Sequence, residues 1–312
     1  MVWLTVRDMT ELAESETITE GSVGTGVMDT VIELPADAVD PTRPAWSLSP
    51  SRALDFKNCA LLYRFRVIDR LPEPPSLDAA RGTVIHGVLE RLFDLAAADR
   101  TIAAASDDVE PGWQSLLEAE PDLAALVESS PGGLKALVET TRALLDSYFT
   151  LEDPRRIEPA DREVLVETTL PSGIHLKGFV DRLDRSPAGD LRVVDYKSGK
   201  SPSELFEGKA LFQLRFYALV LWRTTGVLPR VLRLYYLADR EVLDYSPDVA
   251  DLESLERQLD AIAAAIVKAR ETGDWRHKPS KLCNWCSFQS LCPEFGGTPP
   301  ELPSAGDGSS VG

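Results

Sequence analysis

Asp181, Asp195 and Lys197 are the side chains able to do chemistry in the strand-like sequence between Ile174 and Lys200, IHLKGFVDRLDRSPAGDLRVVDYKSGK. In its middle, Ser186-Pro187-Ala188-Gly189 is a turn signal, because Pro fixes φ and Gly accepts φ > 0, so the stretch reads as an antiparallel hairpin. Side chains alternate along a strand, which puts Val193, Asp195 and Lys197 on one face and Val194 and Tyr196 on the other. With a loop from Ser186 to Asp190, Asp181 falls opposite Asp195 on the first of those faces. Two opposed carboxylates repel unless positive charge lies between them. A divalent cation answers that need, and the plain alternative is a solvated face on which Asp and Lys pair with one another. The apolar company of Leu191, Val193 and Val194 favours a half-buried strand that carries charge for a purpose.

Other residues able to do chemistry lie on helical sequence. His86 and Glu90 are four apart in VIHGVLERLFDLA and share one helix face, and Gln213 and Tyr217 have the same spacing in KALFQLRFYALVLWRTTG. An ordinary structural histidine and a tyrosine edging the core are the bland readings of these pairs. The four cysteines are Cys59 and a C-x2-C-x5-C group, Cys283, Cys286 and Cys292. In a cytosolic protein such spacing reads as metal ligation before disulfides. Four thiolates suit tetrahedral zinc or an iron–sulfur cluster; the three-plus-one arrangement, with Trp285, Phe288 and Leu291 interleaved, favours a shielded cluster. Either would staple the C-terminal segment onto the first helix.

The elements that must position these residues follow from pattern. Residues 1–45 are acidic and weakly periodic and read as a disordered leader. Ser49-Pro50 starts a helix expected to run through Ala53, Phe56, Ala60 and Tyr63, with Cys59 inside it. Arg81-Gly82-Thr83 reads as the next helix start, with Val84, Val88, Leu92 and Leu95 as its apolar stripe. Residues 102–155 read as a helical insertion broken at Glu110-Pro111-Gly112 and Pro131-Gly132-Gly133. REVLVETTL, ending at Leu170, predicts a strand antiparallel to the central hairpin, with Glu167 directed towards the carboxylates. The helix carrying Gln213 ends at Gly226, VLRLYYLADREVLDYS predicts a strand pair, and a long helix stops at Gly273. The cluster segment, 280–295, is expected to pack on the helix at 50–66, and 296–312 reads as a disordered tail.

Bulk properties set bounds. The 312 residues, 44% hydrophobic and 27% charged, suit one globular domain with an inserted part. No apolar run approaches the ~20 residues of a membrane span. The N-terminus lacks a basic n-region before an apolar core, which points to a cytoplasmic protein. The net charge of −17 is unlike a tight nucleic-acid binder, although from Ser51 to Arg70 five basic residues face two acidic ones.

Four motifs in order, G-T-x-x-H-x-x-L-E (Gly82 to Glu90), G-x-x-D-R-x-D (Gly178 to Asp184), D-Y-K-S-G (Asp195 to Gly199) and Q-L-x-x-Y-A (Gln213 to Ala218), resemble the RecB-type branch of the PD-(D/E)XK nucleases. The cysteine set is similar to the iron–sulfur subset of that branch, which includes the AddB nuclease domain and the CRISPR-adaptation exonucleases. The resemblance covers residues 49 to 295 and implies an α/β fold: a restriction-endonuclease-like mixed sheet flanked by helices, over residues 46–295. It implies hydrolysis of DNA phosphodiester bonds as an exonuclease in repair or recombination, most plausibly at single-stranded ends, with a helicase or repair protein as partner. By position, His86, Asp181 and Asp195 with the Tyr196 carbonyl would ligate Mg²⁺ or Mn²⁺. Lys197 would activate the attacking water, and Gln213 and Tyr217 would position the lysine or the strand. Cys59, Cys283, Cys286 and Cys292 would hold a [4Fe–4S] cluster. A non-catalytic or partner-activated DNA-end-binding iron–sulfur protein is the alternative, and a zinc-stapled interaction module a further one.

Overall fold

A computed structural model describes residues 46–202 and 207–303, so the acidic leader expected over 1–45 lies outside the described residues. A short strand, β1 (Ser47–Leu48), leads into α1 (Pro50–Asn58), whose N-cap Ser49 accepts the Arg52 N–H. The continuous helix expected from Ala53 to Tyr63 is interrupted. Cys59 is extended (φ −162°, ψ 114°), and the chain resumes as α2 (Ala60–Tyr63) and a π-helical turn, Arg64–Ile68. The Leu61 N–H donates to the carbonyl of Arg276 at 3.3 Å, so a tertiary hydrogen bond replaces an intrahelical one and overrides the local periodicity.

The next helix, α3 (Leu77–Leu92), begins before the expected Arg81 start because Ser76 caps it, accepting the Ala79 N–H at 3.4 Å, and Asp78 sits in its first turn. Val84, Val88 and Leu92 are buried as the stripe predicts, whereas Leu95 lies past the helix end and is exposed. Three helices follow: α4 (Ile102–Ala119), α5 (Pro121–Ser129) and α6 (Gly133–Leu151). The expected break at Pro111 is absent, and α4 runs through it. An interior Pro costs about 3 kcal/mol, but Val109 and Trp113 on either side are fully buried, and packing outweighs that cost. Gly112 lies so close to α3 that a Cβ there would sit 3.3 Å from Val84 Cγ1.

The remaining elements are β2 (Asp161–Thr169), β3 (His175–Arg185), β4 (Leu191–Lys197), α7 (Glu207–Thr225), β5 (Val231–Tyr236), β6 (Glu241–Tyr245) and α8 (Val249–Thr272). The six strands make one mixed sheet: β2 pairs antiparallel with one edge of β3, while β1 (parallel) and β4 (antiparallel) pair with the other. From β4 the chain crosses through α7 to the parallel β5, and β6 returns antiparallel. The hairpin turn spans Ser186 to Asp190, whose carbonyl accepts the Ser186 N–H at 2.9 Å. One face of the sheet packs on α1, α7 and α8 and the other on α3 to α6. No helix among the described residues is long and apolar enough to cross a membrane.

Behind the hairpin lies a charged cluster. Arg182, 1% exposed, donates to Glu152 at 2.5 and 2.9 Å and to the Tyr196 hydroxyl at 2.6 Å, and its Nε lies 3.0 Å from Asp184. Arg192 meets Asp184 at 2.7 Å, and the Tyr235 hydroxyl donates to Glu152. Burial alone would raise Glu152, but the Arg182 guanidinium outweighs it and brings the carboxyl down to about 2. The cluster ties the residue that ends α6 to three strands. Replacing Arg182 by Met leaves two buried carboxylates short of a partner, and chemical denaturation should show a loss of about 3–5 kcal/mol. Because the Glu152 pKa is depressed in the fold, its contribution is present above about 4.5 and lost as pH falls towards 2. The variant should lack that acid limb; a loss under about 1 kcal/mol with the limb retained would refute the role.

Candidate functional site

The β3–β4 ladder runs from Arg185↔Leu191 to Arg182↔Val194 and stops there. Asp181 and Asp195 would form the next rung, as the hairpin pattern predicts. Instead the strands part, and Asp181 Oδ2 accepts the Tyr196 N–H at 2.8 Å, taking the place of a ladder bond with its side chain. Asp195 is 1% exposed, and neither of its oxygens accepts an aligned hydrogen bond among the described residues. Lys197 Nζ stands 2.7 Å from Asp195 Oδ2, so the pair is held by charge rather than by directed bonding. A buried carboxylate with idle lone pairs beside a second carboxylate is a site short of positive charge.

His86 reaches this point from α3. Its Nε2–H donates to the Tyr196 carbonyl at 2.8 Å, the tautomer following from the acceptor, and this turns Nδ1 to the carboxylates. Asp181 Oδ2 lies 3.4 Å and Glu163 Oε1 3.7 Å from Nδ1. His86, Glu163 and Asp181 each offer a ligand atom, all within 4.8 Å of one another. Burial pulls the imidazole pKa down, but the Glu163, Asp181 and Asp195 carboxylates outweigh it and raise it to about 9. Burial, reinforced by Asp195, raises Asp181 to about 7. Protons therefore fill the charge deficit when nothing else does.

Glu163 is the residue that sequence reasoning missed. Glu167 is the acid on β2 that the pattern directs to the site, yet it points away and lies 3.4 Å from His175. Alternation puts Glu163 on the same face as Glu167, opposite Val164 and Val166, but the period alone does not say which of the two acids reaches the site. The strand changes phase there: Glu163 has φ 43°, a left-handed conformation that a non-glycine residue adopts at a cost of order 1–3 kcal/mol. A lone acidic residue near a strand end carries no sequence signal for such a turn.

On the other side of the sheet, α7 lays a relay against the lysine. Lys197 Nζ donates to Gln213 Oε1 at 3.0 Å, and Gln213 Nε2 donates to the Tyr217 hydroxyl at 2.9 Å. Burial keeps that hydroxyl protonated far above its usual range. Gly178 makes the approach feasible, since a Cβ there would sit 2.6 Å from Tyr217 Cε1. The Gly, the Asp and the lysine partner of the motifs thus belong to one packing arrangement.

A second constellation lies elsewhere. Cys59, Cys283, Cys286 and Cys292 line one cavity of about 50 Å³ and form no disulfide. The Ser280 N–H donates to Cys283 Sγ at 3.3 Å. The break at Cys59, where the pattern predicts a continuous helix, positions that thiol. Four free thiols around one small, mostly apolar pocket suit zinc or an iron–sulfur cluster as a donor set. Phe288 is buried against Phe65 at 5.3 Å between centroids, but Trp285 is 76% exposed and shields nothing. The Gly/Pro-rich sequence after Gly296 is placed as far as residue 303, and the Pro300 carbonyl accepts from the buried Arg64. Two of the five basic residues between Ser51 and Arg70 are held in ion pairs: Arg64 with Asp69, and Arg66 with Asp55 and Glu73.

A family model described as the PD-(D/E)XK nuclease superfamily matches residues 47–293. The Gene 69 protein of Mycobacterium phage L5 is 32% identical over 126 residues, 39% of this chain and 41% of the phage protein. A subunit of the ATP-dependent helicase/deoxyribonuclease of Streptococcus equi subsp. zooepidemicus is 29% identical over 169 residues, 51% of this chain and 14% of that subunit. Its counterpart from Streptococcus mutans serotype c is 27% identical over 224 residues, 68% of this chain and 19% of the counterpart. The chain thus spans less than half the length of each of these relatives. These matches bear out the RecB-type resemblance read from the four motifs. With its mixed sheet and a family match across most of its length, the chain belongs to the PD-(D/E)XK nuclease superfamily.

Proposed function

We propose that the chain is a divalent-cation-dependent DNA exonuclease acting on single-stranded ends in repair or recombination. The observation that carries the metal site is Asp195, buried with both oxygens short of hydrogen bonds where β3 and β4 part. Hard oxygen donors suit Mg²⁺, and the imidazole in the set shifts preference towards Mn²⁺. His86, Asp181 and Asp195 would hold the cation, with Glu163 added to the expected set and the Tyr196 carbonyl turned to the same point. When bound, it would polarise the phosphate and lower the pKa of a coordinated water. Lys197, held by Gln213 and Tyr217, offsets charge developing on the phosphate oxygens. The likeness to helicase/deoxyribonuclease subunits supports DNA as substrate and a helicase as partner. The cysteines would hold a [4Fe–4S] cluster as a structural staple, with zinc as the competing occupant.

End-labelled single-stranded DNA should be degraded by anaerobically purified protein with Mn²⁺ or Mg²⁺ and spared with EDTA. Asp195→Asn should lower the rate at least about a hundredfold, the scale of losing one electrostatic partner of a transition state. Wild-type activity in that variant would sink the site.

Metal binding should also show in stability. Asp181 and His86 carry raised pKa values in the metal-free fold, so the stability these two groups contribute is present at low pH and is lost as pH rises through about 7 and then about 9. A cation replaces those protons, so the gain in Tm from Mn²⁺ should be small at pH 6 and grow to pH 8.5. A gain independent of pH would count against this ligand set.

Purified protein should be brown, with broad absorbance near about 400 nm, the signature of an iron–sulfur cluster. Cys286→Ser should bleach it and lower Tm more than it lowers the specific activity of the protein that survives. A variant that loses its colour and keeps its Tm would argue against a staple.

A further inference from the structure

Phe179 is not needed by the core and is not covered by it. It lies between Gly178 and Val180, both buried on β3, yet it is 56% exposed, on the face opposite α7. Its cross-strand partner is Leu165, itself 39% exposed, so an apolar pair occupies outward positions where alternation favours polar residues. Single exposed hydrophobics need no explanation. This one does, because it shares a cleft of about 610 Å³ with His86 and Glu163. The opposite wall of that cleft is α3, smoothed by Ala79, Gly82 and Gly87, so a chain can approach closely. Phe179 is two residues from Asp181, about 6.6 Å along the strand, and Lys177 follows on its face by alternation. A polyanionic chain with planar aromatic units fits such a cleft: phosphate at the cation site and a ring on the phenyl face. A base inside a duplex has both faces stacked, and an unpaired base leaves one free.

We propose that Phe179, flanked by Leu165, is a stacking platform for the nucleobase adjoining the phosphate received at His86, Glu163 and Asp181, and so selects unpaired strands. The proposal rests on the nuclease reading above and deepens it to a base-binding subsite.

The test uses the full chain as wild type, Phe179→Ala and Phe179→Trp. Binding of a labelled oligonucleotide is followed by fluorescence anisotropy in Ca²⁺ and cleavage in Mn²⁺. Substrates are a single strand, the matching blunt duplex, and the single strand with abasic residues at its end. Thermal melts check that the exposed substitutions leave the fold intact. Phe179→Ala should weaken single-strand binding and raise KM by about 5- to 100-fold, the range for one lost base–aromatic stack. Phe179→Trp should restore both. Abasic ends should cost wild type a similar factor and cost Phe179→Ala little more. Equal losses on single strand and duplex, or an abasic penalty undiminished in Phe179→Ala, would overturn the platform while leaving the nuclease reading in place. The expected anisotropy pattern without cleavage would uphold the platform and remove the nuclease reading. A wild type that neither binds nor cleaves would overturn both.

Discussion

Two carboxylates held together in a buried place govern the architecture around them. Asp181 and Asp195 approach where the β3–β4 ladder ends, and Asp181 uses its side chain to satisfy the Tyr196 N–H that the parted ladder leaves open. Burial and the like charge of Asp195 both oppose ionisation of Asp181. The neighbours supply what is missing: Lys197 beside Asp195, and His86 turned towards Asp181 by its bond to the Tyr196 carbonyl. Carboxylates and an imidazole bind a cation only when deprotonated, so protons and a cation compete for such a donor set.

Tyr196 links this place to the interior. Its backbone serves the site through N–H and carbonyl, while its hydroxyl accepts from Arg182 in the buried charged cluster. The cluster reaches Glu152 at the end of α6, so that helix is tied to β4, the strand that carries Asp195 and Lys197. Opposite, Gly178 lets Tyr217 approach, and Tyr217 holds Gln213 against the lysine. Buried ion networks add little net stability. Here the network restricts where Tyr196 can lie, and the hydrogen-bonding geometry of the site follows from that.

The cysteine pocket closes the chain over more than two hundred residues, and the extended conformation at Cys59 shows where that closure acts on local structure. A helix that ran on would carry the thiol with it. The break, anchored by the Leu61 N–H to the Arg276 carbonyl, fixes Cys59 beside the C-terminal segment. Around it Tyr63 stacks on Trp275 at 6.1 Å and Phe65 meets Phe288. Apolar packing thus holds the segments that carry the four thiols together.

By itself the sequence determined what depends on neighbours in the chain. The Ser186–Asp190 turn, the alternation that puts Asp195 and Lys197 on one face, the four-residue spacing of Gln213 and Tyr217, and the stops at Gly226 and Gly273 are set by local backbone preference and period. The order of the motifs also identified the family. What only the tertiary structure decided is set by contacts between distant segments. Glu163 reaches the site through a strained φ that nothing in its own strand's sequence announces. Pro111 stays inside α4 because Val109 and Trp113 are buried around it, and Cys59 leaves its helix where the next turn hydrogen-bonds to a residue far along the chain. In each case a long-range interaction outweighs a local preference of a few kcal/mol at most, and no window of sequence contains both partners.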